Sequence, residues 1–98
     1  MRLQPHEVEA IRAAVREIFG PTARTRLFGS RTRDDLLGGD IDLFVEVEPG
    51  QASIVNEQRL RDRIDPAVED LRTDVILHER GAVLTPLSRI ALRDGVPL

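Results

Sequence analysis

The segment Asp40-Ile41-Asp42-Leu43-Phe44-Val45-Glu46-Val47 constrains this chain more than any other, because its side chains alternate in character. A strand sends successive side chains to opposite faces. Ile41, Leu43, Val45 and Val47 therefore share one face, and Asp40, Asp42, Phe44 and Glu46 share the other. The first face must be covered by another layer, and the second is left for chemistry. Residues 5–19 offer such a layer, since Val8, Ile11, Val15 and Ile18 recur at the intervals of an amphipathic helix. Pro5 suits its first turn, Glu7 and Glu9 complement the positive end of its dipole, and Gly20-Pro21 stops it.

Residues 23–28 alternate before meeting Gly29-Ser30, which predicts a short strand ending in a tight turn. Glu48 to Gln51 reads as a turn, and residues 53–65 as a helix with Leu60 and Ile64 on one face and Pro66 interrupting it. Ala67 to Leu71 offers a further turn. Thr73 to Leu77 predicts a third strand, with Arg72 and His78 to Gly81 at its ends. Leu84, Leu87, Ile90 and Ala91 form a weaker helical stripe over residues 84–92, closed by Asp94-Gly95 and Pro97. The predicted order is α, β, β, α, β, α. It builds an α/β chain of the α+β type, a small mixed sheet with helices packed on it. At 98 residues and 41% hydrophobic content, residues 1–98 are expected to form a single domain around one core.

Composition removes several function classes. The chain has no cysteine, so disulfides, thiol catalysis and thiolate metal sites are excluded. All 14 basic residues are arginine, which excludes a Schiff-base or P-loop lysine. With a net charge of -3, three phenylalanines and no tyrosine or tryptophan, direct nucleic-acid binding is not expected. No apolar run approaches the ~20 residues of a spanning helix and the amino terminus is charged, so no membrane partner and a cytoplasmic location are expected.

The net charge conceals a division. Arg24 to Arg33 contains four arginines and no acid, and Asp34 to Glu48 contains six acids and no base. In the first part, the Gly29-Ser30 pair exposes backbone N–H groups and a hydroxyl that can hold phosphate, with Arg31 and Arg33 beside it. In the second, Asp40 and Asp42 point the same way from a strand, about 7 Å apart at their α-carbons. Carboxylate oxygens suit a hard divalent cation such as Mg²⁺, and two carboxylates facing a cavity repel each other without one. Aspartate is also a poor strand former, yet it occurs twice within an apolar run. Two-metal phosphoryl or nucleotidyl transfer needs a third carboxylate, and Asp74, opening the Thr73 to Leu77 strand, is the best candidate. Glu46 and Glu48 read as solvated surface, and Asp34 and Asp35 as loop caps. His6 and His78 lack partners at metal-ligand spacing and read as surface residues.

Gly29-Ser30, nine intervening residues, Asp40-Ile41-Asp42 and a later strand carrying Asp74 closely resemble the minimal nucleotidyltransferases of the DNA polymerase β superfamily. The leading helix and the ending Arg93 to Leu98 extend the likeness over nearly the whole chain. The resemblance implies a polymerase-β-like nucleotidyltransferase fold. It also implies that Gly29 and Ser30 grip a nucleoside triphosphate, that Asp40 and Asp42 hold two Mg²⁺ ions, and that Asp74 completes the catalytic metal and helps deprotonate the acceptor hydroxyl. Domains of this size are similar to the MNT antitoxins encoded beside HEPN ribonuclease toxins. That likeness implies transfer of AMP from ATP to a tyrosine hydroxyl of a HEPN-type toxin, with Arg31 and Arg33 matching the arginines that follow the Gly-Ser pair. Asp34 and Gly39 depart from the usual glycine and serine at their positions. A non-catalytic subunit acting by occlusion and an aminoglycoside-type enzyme are the alternatives, and the second usually carries a helical domain that this chain lacks.

Overall fold

The structure, a computed structural model, describes residues 3–28, 40–68 and 72–98, and for Asp40 and Arg72 the backbone alone. Its elements are α1 (Pro5–Phe19), β1 (Arg24–Phe28), β2 (Asp40–Val47), α2 (Ile54–Ile64) with a 3₁₀ turn at Asp65–Ala67, β3 (Arg72–Glu79), α3 (Pro86–Asp94) and β4 (Val96–Pro97). The four strands lie in the order β3-β2-β1-β4. Only β2 and β3 run parallel, and β1 is antiparallel to both β2 and β4. The expected mixed sheet with helices packed on it is therefore found.

Each helix begins where the sequence can satisfy its orphan N–H groups. The Glu7 carboxylate accepts from the Gln4 N–H at 2.7 Å. Ser53 Oγ accepts from the Asn56 N–H at 3.1 Å, and Thr85 Oγ1 from the Ser88 N–H at 3.0 Å. α1 ends at Gly20, whose φ of 90° is a conformation that side chains rarely adopt.

Both faces of the sheet carry an apolar cluster, which the alternation in β2 alone did not announce. On one, Leu27, Ile41, Leu43, Val45, Val47 and Val75 form a core with Ile11, Val15 and Phe19 of α1 and Leu60 and Ile64 of α2. On the other, Phe28 and Phe44 pack with Ala91 of α3, flanked by Ile76 and Leu92. Phe44 is thus core rather than part of an open chemical face. α3 turns inward only part of its expected stripe, Ala91, and not Leu87 or Ile90. It buries Ser88 and Ala91 and leaves Leu87 and Ile90 nearly half exposed. β3 is longer than expected because parallel pairing carries it on through His78 and Glu79, the register partners of Glu46 and Val47.

The short β4 strand is unannounced by any periodicity. It returns from α3 through Gly95 to pair Val96 with Leu27 and Pro97 with Arg26. Gly95 has an extended backbone, and its role is close approach. A Cβ there would collide with the Ala91 carbonyl oxygen and lie 3.1 Å from Arg26 Cβ. Gly95→Ala is therefore expected to lower stability by about 1–3 kcal/mol in a denaturant titration, the usual cost of overpacking. Just before this turn, Arg93 donates two hydrogen bonds to Asp94, both at 2.9 Å. They lower the carboxyl's pKa from its ordinary value.

Candidate functional site

Asp42 and Asp74 sit on adjacent parallel strands and are direct register partners. Neighbouring strands are about 4.8 Å apart, and residues opposite each other project to the same face, so the fold brings two carboxylates from distant sequence together. Both residues are half-buried, and neither is without an interaction partner. Two more register pairs continue the same face, Phe44 with Ile76 and then Glu46 with His78. Across the sheet Asp42 is also the register partner of Phe28, the last residue of β1.

Further along the same face is a ring stack. Phe44 and His78 lie with centroids 5.6 Å apart and planes at 26°. His78 is 8% exposed, so the expectation of a surface histidine fails. Continuing the two-residue period from Asp74 through Ile76 would have placed it on this buried face. Glu46 and Glu48, expected to be solvated surface, remain partly exposed and are paired there with Arg80. Its guanidinium pairs with Glu48, reaches Glu46 Oε1 at 3.3 Å and donates to the Thr22 carbonyl at 3.0 Å. Arg80 thereby ties the far ends of β2 and β3 to the α1–β1 connection. His6 is exposed as expected.

The remaining candidates divide by what is described. Asp40 is the first residue of β2, with Arg72 as its backbone register partner, and its side chain lies outside the described residues. Gly29, Ser30, Arg31 and Arg33 also lie outside them, as do Asp34 and Asp35. Among the described residues no group of three or more histidine or acidic side chains is placed to hold a metal ion. Asp42 and Asp74 supply a pair of hard oxygen donors on one face, a donor set that fits Mg²⁺. Among the described residues no helix is long and apolar enough to cross a membrane.

A search of curated proteins finds no significant match. The family model of the nucleotidyltransferase domain matches residues 8–97, from α1 through β4 and so across every strand that carries the aspartates. With nearly the whole chain matched and a mixed four-stranded sheet consistent with that fold, the protein belongs to the nucleotidyltransferase domain family, whose general activity is nucleotidyl transfer from a nucleoside triphosphate.

Proposed function

We propose that this chain is a single-domain, Mg²⁺-dependent protein adenylyltransferase, an antitoxin of the MNT type that transfers AMP from ATP to a hydroxyl of a HEPN-type toxin. The observation that carries the reading is the register pairing of Asp42 with Asp74 in a chain of this family. The acceptor hydroxyl, in this reading, is presented by the partner protein. In this reading Gly29 and Ser30, with Arg31 and Arg33, hold the triphosphate through backbone N–H groups, a hydroxyl and two guanidinium groups. Asp40, Asp42 and Asp74 would hold two Mg²⁺ ions. When bound, they supply positive charge against the triphosphate oxygens.

The acceptor oxygen attacks the α-phosphorus in line, forming the new P–O bond as the bond to the β-phosphate oxygen breaks. Pyrophosphate leaves with the electron pair, and the acceptor's proton passes to the Asp74 carboxylate. The chain's own contribution is positioning. The register of β2 and β3 sets Asp42 and Asp74 side by side before substrate binds, which supports a preorganised site.

The test is incubation with labelled ATP, Mg²⁺ and the protein encoded by the neighbouring reading frame. Covalent label on that protein, lost on chelation with EDTA, is the expected result. Neutralisation of the partner without label would replace adenylylation by occlusion. A neighbouring frame that encodes no small helical protein with an Arg-x4-6-His motif would count against the toxin as acceptor.

A further inference from the structure

A groove of about 850 Å³ opens where α1 meets β1 and β4, and neither Asp42 nor Asp74 lines it. Four arginines line it, Arg12 and Arg16 from α1 and Arg24 and Arg26 from β1, with an apolar lining that includes Ala23, Leu92, Pro97 and Leu98. Three glutamates also line it, and each is already paired. Glu9 meets Arg12 at 3.7 Å, Glu17 pairs with Arg63, and Glu46 meets Arg80 at 3.3 Å. Among the described residues, no ion pair includes Arg16, Arg24 or Arg26. Arg24 is held in place by donating Nη1 to the carbonyls of Pro21 and Ala23. In a chain of net charge -3, three guanidinium groups with no carboxylate partner among the described residues thus gather around one partly apolar groove.

We infer that this groove docks an acidic segment, carrying apolar side chains, of the protein acceptor. The inference rests on the reading above that the acceptor is a protein. Charge complementarity supplies the acid preference, and the apolar lining suits side chains better than a sugar-phosphate backbone. Reach supplies the link to chemistry. Arg26 is the register partner of Phe44 and Arg24 of Glu46. Along β2 these lie two and four residues from Asp42, about 7 and 13 Å. An extended peptide seated against both arginines therefore comes within a few residues of the carboxylates, and the groove sets which acceptor hydroxyl is offered to them.

The probe is a fluorescein-labelled peptide of alternating glutamate and leucine, followed by anisotropy against the full chain without nucleotide. A matching peptide with glutamine for glutamate and a single-stranded oligonucleotide serve as comparisons. The acidic peptide is expected to bind best and to weaken as salt rises. The double substitution Arg16→Glu with Arg24→Glu should weaken it by about tenfold or more. Thermal melting checks that this variant folds, and Arg26→Gln provides a second, milder removal of charge. Equal binding by the double variant, equal binding of the glutamine peptide, or preference for the oligonucleotide would overturn the inference. Peptide binding is read without ATP. Loss of the adenylylation reading would appear as absent label transfer with this binding intact, and failure of the groove as the reverse.

Discussion

Asp42→Asn and Asp74→Asn are each expected to lower nucleotidyl transfer by about 10³-fold or more, equivalent to about 4 kcal/mol of transition-state stabilisation. Asparagine keeps the size of aspartate and removes its charge, so the change isolates the electrostatic role from packing. The paired register of the two residues makes a second demand. Groups that act as one unit are strongly non-additive, so the double variant should be little slower than either single one. Initial rates of label transfer from ATP, with melting curves to confirm folding, check both points. A single variant that keeps more than about a tenth of wild-type activity would remove that aspartate from the site. Additive losses would mean that the two act separately.

Phe44→Ala is expected to cost about 3–5 kcal/mol, the usual range for deleting a buried ring. Phe44 is 1% exposed and joins Phe28, Ala91 and the His78 ring in the smaller core. Removing it takes away its packing against Phe28 of β1 and Ala91 of α3 and leaves a cavity two residues from Asp42. For a chain of this size the melting temperature should fall by more than about 12 °C. That loss is a large part of the 5–15 kcal/mol that a domain usually has. Ile90→Ala is the matched control. Ile90 lies on α3 but is 44% exposed, so its truncation should cost less than about 1 kcal/mol. Equal losses at the two positions would show that α3 buries its leucine stripe after all.

How far sequence could reach differs by element, for physical reasons. α1, β2 and α2 were legible because each has a run of apolar side chains at a single period and residues that stop it, such as Gly20 and Pro66. β4 was not, since two residues ending in proline have no period, and only their pairing with β1 makes them a strand. α3 was legible in part, since Ala91 of its expected stripe is buried, but Ser88 joins it there while Leu87 and Ile90 stay nearly half exposed. The small side chains let the helix lie close to the sheet, a tertiary fact that hydropathy does not carry. At the candidate site, Asp42 and Asp74 stood out as aspartates within apolar strands. Their direct pairing was not, because it depends on the register of two strands far apart in sequence. The capture of Glu46 and Glu48 by Arg80 joins equally distant positions, and the burial of His78 depends on Phe44 across the strand.

The central claim is transfer of a nucleotidyl group, and the position of the label tests it most directly. Parallel reactions with ATP labelled at the α-phosphate and at the γ-phosphate, each with the neighbouring frame's protein and Mg²⁺, should give covalent label on that protein only from the α position. The γ label should appear as pyrophosphate. Label on the acceptor from the γ position would mean phosphoryl transfer and would contradict the account.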